Sequence, residues 1–107
     1  MDVSAPLLRR AENRTVIRMF VKLSNPDNGK FEITPTIDVS RHGARVVTKS
    51  QWQPNQDLIV QTIRGNLYSR ARAVHCELLT DGSYALGLEL YSPLGEWTKS
   101  PKFPRRS

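Results

Sequence analysis

Apolar and polar residues alternate in the first third of the chain. Every second residue from Ile17 to Leu23 is apolar, and two of the positions between them carry Arg18 and Lys22. This period of two predicts a half-buried β-strand. The turn-forming residues that follow lead into a second alternating segment that begins at Phe31, so we expect a β-hairpin.

Pro35 lies inside the second alternating segment. Because proline cannot donate to a β-ladder, this strand should be an edge strand, or should be bulged or interrupted there. Four further β-rich segments lie between turn-forming residues, at 44–48, 57–63, 67–79 and 84–90. In the third of these segments, basic Arg70 and apolar Val74 share one parity, which predicts a long strand whose facing changes midway.

Six short strands without a stretch of helical period predict an all-β fold, either a small barrel or a sandwich. The two ends of the chain lack the strand pattern. We therefore expect a flexible N-terminal arm at 1–15, a β-domain at 16–91 and a basic C-terminal tail at 92–107. Trp52 and Trp97 are expected to be core or barrel-cap residues.

Composition limits the class of partner and the location. The 107 residues with 38% hydrophobic content can bury one core. The formal charge of +6 indicates an anionic partner, but it does not distinguish a nucleotide from nucleic acid or a membrane surface. The single cysteine, Cys76, excludes an internal disulfide and fits a reducing compartment. No segment approaches the roughly 20 apolar residues of a membrane span, so we expect a cytoplasmic protein.

The residue types that carry catalysis or bind metals are sparse. His42 and His75 do not have a metal-ligand spacing with Cys76 or with a carboxylate. His75 and Cys76 are sequence neighbours, so on a strand their side chains point to opposite faces. The chain also lacks a glycine-rich phosphate loop, a nucleophile elbow and a metalloprotease helix. We therefore expect a binding protein rather than an enzyme, with neither a metal nor a cofactor.

Two short motifs lie at opposite ends of the first hairpin. Arg10 and Arg14 form an RxxxR, and Asp38, Ser40 and Gly43 form a DxSxxG. With 11 arginines in the chain, about one RxxxR is expected by chance, so this motif alone is weak. The DxSxxG is expected in only about 0.02 copies on the same composition. It also follows a predicted strand directly, which favours a functional turn.

The two motifs and the terminal strand together resemble a PilZ domain over about residues 9–90. The resemblance implies a small six-stranded antiparallel PilZ-like β-barrel. It also implies a site in which the RxxxR arm clamps cyclic di-GMP, as a monomer or an intercalated dimer, against the barrel. Matched by position, Arg10 and Arg14 would be the clamp, and Asp38, Ser40 and Gly43 would form the barrel side of the site.

Two details of the match concern Arg18 and Leu90. An alternative RxxxR register, Arg14 with Arg18, would place Arg18 inside the first strand. We prefer Arg10 with Arg14, because that pair leaves the first strand free to form its ladder. The terminal strand has Leu90 where the family commonly has an aromatic residue, a departure that concerns packing more than the ligand.

The chemistry of cyclic di-GMP suits these residue types. Arginine can form a bidentate contact with a phosphate or with guanine O6 and N7, and its plane can stack on a base. Asp38 can accept from the N1 and N2 donors of guanine, and Ser40 can donate or accept. Gly43 would allow a close backbone approach or a positive φ. Further candidates are Arg9, Arg41 and His42, although we favour simple surface exposure for the last two.

Other interpretations of the same residues stay open. Asp38, Ser40 and Gly43 can simply close a turn, and the arginines of the arm can be solvated. A small-barrel nucleic-acid binder could use the arm, Arg70 and Arg72 on their strand, and the basic tail. A third alternative is a PilZ-like adaptor without ligand. We favour a single-domain cyclic di-GMP receptor that signals to an unidentified protein partner, because two phosphates need few cations and nucleic acid is not required to explain the charge.

Overall fold

Antiparallel strands joined by turns make up the part of the chain that the computed structural model describes, residues 13–98. They are β1 (Thr15–Val16), β2 (Phe20–Ser24), β3 (Phe31–Ser40), β4 (Gly43–Thr48), β5 (Asp57–Thr62), β6 (Tyr68–Leu78) and β7 (Tyr84–Leu94). The strand order is β1-β3-β2-β5-β6-β7-β4, and pairing of β3 with β4 closes the last six strands into a barrel. The expected all-β, six-stranded antiparallel barrel is confirmed, with β1 as an extra strand. The arm up to residue 12 and the tail from residue 99 lie outside the described residues.

The first predicted strand is present but interrupted. β1 and β2 both pair with β3, and residues 17–19 between them leave the ladder. The hydroxyl of Thr36 occupies this gap: it accepts from the amide of Met19 at 3.0 Å and donates to the carbonyl of Ile17 at 2.6 Å. A buried side chain therefore satisfies the backbone groups that the interruption would otherwise leave unpaired.

The alternation in β3 has its polar residues inside the barrel. Thr34 and Thr36 are 2% and 3% exposed, whereas Phe31 and Ile33 are 59% and 55% exposed. The strand continues through Pro35, but its pairing with β4 begins only at Thr36. The first half of β3 is thus paired with β2 alone, which confirms the edge position expected for a proline-containing strand.

The core lies between the inward faces of the six barrel strands. Its fully buried large side chains are Val21, Leu23, Val46, Leu58, Val60 and Leu86. Trp52 and Trp97 pack into the same cluster, as expected. Cys76 is half-buried and packs against it. The cluster draws residues from every barrel strand, so its burial holds the closed barrel together.

β3 and β6 change their facing at bulges. In β3 the register shifts between Thr36 and Asp38, and in β6 it shifts between Ala73 and His75. Before the bulge of β6 the alternate residues up to Ala73 are buried, and after it Cys76 is the residue that packs against the core. An extra residue in one strand reverses the side to which later side chains point. The facing change predicted for this strand is confirmed.

Candidate ligand-binding site

The bulge in β3 turns the DxSxxG motif to the outside of the barrel. Residues opposite each other on neighbouring strands share a face, and Asp38 lies opposite the exposed Arg45. Ser40 lies opposite Gly43, and two residues, Arg41 and His42, close the turn between them. Asp38 and Ser40 therefore lie on the outer wall of the barrel, beside the start of β4, and not in the core.

Asp38 is held between two arginines. Nη1 of Arg14 donates to Oδ1 at 2.8 Å, and Arg45 donates to Oδ2 from Nη2 at 2.6 Å and from Nε at 3.0 Å. The side chain of Asp38 is 6% exposed, whereas those of Arg14 and Arg45 are each 52% exposed. Hydrogen bonding to Asp38, and then the attraction of its charge, raises the pKa of Arg45. The buried carboxylate thus fixes two arginines whose outer N–H groups face solvent.

The turn of the motif is tied to Trp97 and to β7. The indole Nε1 of Trp97 donates to the carbonyl of Ser40 at 2.7 Å, and the amide of Leu90 donates to the carbonyl of His42 at 2.9 Å. A Cβ at Gly43 would lie 3.0 Å from the carbonyl oxygen of Leu88. Of the two roles considered for Gly43, its geometry supports close approach, since its φ is not positive.

A cavity of about 650 Å³ opens beside the two arginines. Its lining includes Arg14, Ser40, His42, Gly43, Arg45, Arg72, His75, Ala85, Gly87 and Glu89. On the opposite side of the cavity from Arg45, Arg72 forms a hydrogen-bonded ion pair with Glu89. This hydrogen bond is the largest of the causes that raise the pKa of Arg72. Nε of Arg72 is buried and has no hydrogen-bond partner among the described residues. The cavity therefore combines small residues with arginines on two sides.

The predicted site residues fall into three groups. Arg14, Ser40, His42 and Gly43 line the cavity, and Asp38 orients two of its arginines. Arg41 instead lines a neighbouring cavity of about 700 Å³, with Asn13, Thr15 and Trp97. Arg9 and Arg10 lie outside the described residues. Arg18, the alternative partner of Arg14, lies over the ring of Phe20 at 5.5 Å from its centroid and is not part of the cavity lining.

Arg45 was not predicted as a site residue, and Arg72 was named only for the nucleic-acid alternative. For Arg45 the sequence did hold a signal. A two-residue turn at Arg41 and His42 pairs Ser40 with Gly43, and counting back along the hairpin places Asp38 opposite Arg45. For Arg72 no local motif exists, because its approach to the cavity depends on β6 pairing with β7.

Comparison with known families identifies the family of this chain. A family model described as PilZ domain matches residues 8–97, which is most of the chain. The chain belongs to the PilZ domain family. PilZ domains are cyclic di-GMP receptor domains and are not typically enzymes. No curated protein matches the chain in sequence.

Two structural observations complete the description of this PilZ domain. Within residues 13–98, no group of three or more histidine, cysteine, aspartate and glutamate side chains could hold a metal ion. The same range contains no helix long and apolar enough to cross a membrane. What the described PilZ domain does offer is the arginine-lined cavity on the outer wall, to which both of its sequence motifs contribute.

Proposed function

We propose that this PilZ domain binds cyclic di-GMP in the arginine-lined cavity and acts as a receptor and adaptor for a protein partner. The observation that carries the proposal is the ion pair between Arg14 and Asp38, at 2.8 Å. It joins the second arginine of the RxxxR to the first residue of the DxSxxG. The pairing of β1 with β3 brings the two motifs together at one cavity.

The arginines supply the contacts that the ligand requires. Arg14 and Arg45 each keep about half of their side chain exposed, so they can reach phosphate or a guanine edge while Asp38 holds them. A volume of about 650 Å³ falls within the usual range for small-molecule sites. Arg10, four residues before Arg14, would supply the second arginine of the clamp.

Asp38 contributes mainly by orienting arginines in this proposal. Both of its oxygens already accept from guanidinium groups, although a carboxylate has further lone pairs that a guanine N–H could use. Because a pre-oriented arginine loses less conformational entropy on binding, this arrangement favours affinity. Ligand contacts to Arg10 and Arg14 would fix the arm on the barrel surface. The partner protein would then recognise the altered surface. We place this receptor in the cytoplasm, without a cofactor.

Isothermal titration calorimetry with a panel of ligands tests the proposal. Cyclic di-GMP should bind saturably, whereas GMP and cyclic di-AMP should not. The alternative, a nucleic-acid binder, predicts tighter binding to single-stranded oligonucleotides and a steep fall of log affinity with log salt. A dinucleotide with two phosphates should show a shallow salt dependence. Binding of oligonucleotides alone, with a steep slope, would contradict the receptor function.

A further inference from the structure

The outer face of β3, β2 and β5 carries a dense set of apolar side chains. The outward positions of these three strands include six apolar residues, namely Phe31, Ile33 and Pro35 on β3, Phe20 on β2, and Ile59 and Ile63 on or just after β5. Phe20 is 48% exposed and Ile63 is 49% exposed. We call this surface the β2 face, after its central strand. Clusters of exposed apolar side chains on a protein surface often mark a binding site.

Strand register shows that the β2 face is continuous. Ser24 is paired with Phe31 on one side and Ile59 on the other, and Lys22 is paired with Ile33 and Gln61 in the same way. Phe20 is paired with Pro35, and its carbonyl accepts the amide of Ile63 at 3.1 Å. The outward side chains therefore form three adjacent rows across three strands. Directly opposed side chains lie within contact distance of each other.

β3 buries its polar side chains and exposes its apolar ones. A strand with alternating apolar and polar residues normally buries its apolar side. Here Thr34 and Thr36 face the interior, at 2% and 3% exposure, and the apolar side chains of Phe31 and Ile33 face outward. The hydroxyl of Thr34 has no hydrogen-bond partner among the described residues. The inward orientation of Thr36 serves the interruption before β2, but the inward hydroxyl of Thr34 serves no such role, and the same orientation leaves Phe31 and Ile33 available to a partner.

The charges within and beside the three rows are mainly basic, and Asp57, the next outward residue of β5, lies beyond the rows opposite Arg72. Nζ of Lys22, at the centre of the β2 face, lies 4.6 Å from the ring centroid of Phe31, and the guanidinium of Arg18 lies over Phe20. None of the nine outward positions in the three rows carries a carboxylate. A surface that combines apolar rings with cations fits a partner that combines apolar side chains with carboxylates. A second copy of the chain would bring Lys22 near its own symmetry mate, which disfavours self-association.

The central strands of the β2 face and of the ligand-binding cavity lie on opposite sides of the barrel. The cavity includes Gly87 and Glu89 of β7. In the closed order of six strands, β2 is three strands away from β7 in both directions. A partner on the β2 face would therefore leave the cavity open.

We propose that the β2 face docks a protein segment in which apolar side chains alternate with carboxylates. This inference rests on the adaptor role proposed above, and it specifies where the partner binds and what chemistry the partner presents. The patch extends over three strands, so it can accommodate one short peptide segment. The cations of the face would select an acidic segment over a basic one.

Nuclear magnetic resonance titration of the full-length 15N-labelled protein tests this proposal with two synthetic peptides. One alternates leucine with glutamate, and the other alternates leucine with lysine. The glutamate peptide should shift amide signals of β2, β3 and β5, and the lysine peptide should not. Lys22→Glu should reduce the affinity for the glutamate peptide at least tenfold. The double substitution Phe31→Ser and Ile33→Ser should abolish binding, whereas Leu78→Ser, which alters a 65% exposed leucine on β6, should leave it unchanged.

Three results would overturn the proposal. The first is the absence of shifts with either peptide at about millimolar concentration, which corresponds to less than about 4 kcal/mol of binding free energy. The second is binding to phosphatidylglycerol vesicles that Ile33→Ser removes, because the face would then belong to a lipid surface. The third is a dimer in sedimentation equilibrium that Ile33→Ser dissociates. Cyclic di-GMP binding by the same variants is measured separately, so a failed nucleotide titration is distinguishable from a failed peptide titration.

Discussion

Arg14 donates a hydrogen bond from Nη1 to Oδ1 of Asp38 at 2.8 Å, across 24 positions of sequence. Asp38 is reached from its other side by Arg45, so one buried carboxylate aligns two arginines of the cavity. The bulge in β3 makes this possible, because it places Asp38 on the outer wall with Arg45. The contacts of Asp38 thus depend on the bulge in β3, on its pairing with Arg45 and on Arg14 of the RxxxR.

Arg45 should contribute to ligand affinity although it belongs to neither motif. Arg45→Ala should weaken cyclic di-GMP binding by about tenfold or more, because it removes one exposed guanidinium and leaves Asp38 with Arg14 alone. The matched control is Arg70→Ala, which removes an exposed arginine outside the cavity lining. Calorimetric titration of both variants checks the prediction. Equal loss in the two variants would show that only overall charge matters.

Thr34 and Thr36 should respond in opposite ways to replacement by valine. Thr36→Val should lower the free energy of unfolding by about 1–3 kcal/mol, because the amide of Met19 and the carbonyl of Ile17 lose their partner. Thr34→Val should be neutral or stabilising, since the hydroxyl it removes is buried and has no partner among the described residues. Urea denaturation of the two variants is the measurement. A loss of stability in Thr34→Val that equals the loss in Thr36→Val would contradict this account of the interruption.

Gly43 and Gly87, both in the cavity lining, should differ in their tolerance of alanine. A Cβ at Gly43 would meet the carbonyl of Leu88 at 3.0 Å, so Gly43→Ala should destabilise the barrel by about 1–3 kcal/mol. At Gly87 the nearest atoms are 3.8 Å away and φ is not positive, so alanine should stabilise it by about 0.4–1 kcal/mol through the unfolded state. Thermal unfolding of both variants tests the difference in sign. A Gly43→Ala variant as stable as the parent would show that the backbone adjusts there without cost.

The all-β class and the strands of the barrel were predictable because they depend on local alternation and turn residues. The turn at Asp81 and Gly82 is one example, since the amide of Ser83 bonds to the Asp81 carboxylate, and hydrogen bonding to Ser83 lowers the pKa of that group. The orientation of β3 was not predictable in this way. The pairing of β3 with β2 and β4 decides which of its alternate residues face the core. The hydrophobic pattern of β3 alone would bury Phe31 and Ile33 and expose the threonines.

The site was predictable as far as its motifs extend in sequence. Asp38, Ser40, Gly43 and Arg14 were identified from two motifs, and all four lie at or beside one cavity. Arg72 could be named only as a basic residue of its strand, because its approach to the cavity depends on the long-range pairing of β6 with β7. The indole contact from Trp97 to Ser40 depends on a residue 57 positions away, so no local rule indicates it.

Trp97 should report ligand binding by fluorescence. Its Nε1 donates to the carbonyl of Ser40, which lines the proposed site, so a ligand there should change its environment. The emission change on adding cyclic di-GMP should persist in Trp52→Phe and disappear in Trp97→Phe. Fluorescence titration of the two single-tryptophan variants makes this comparison. A response that follows Trp52 instead would place the ligand away from the Asp38 turn.

The most direct test of the central claim compares Arg14→Ala with Arg18→Ala in calorimetric titrations with cyclic di-GMP. Both variants remove one exposed arginine near the start of the barrel, but only Arg14 contacts Asp38 and lines the cavity. The account predicts that Arg14→Ala abolishes binding while its thermal transition stays close to that of the parent, and that Arg18→Ala binds as the parent does. Parent-like binding by Arg14→Ala, or loss of binding in both variants, would contradict it.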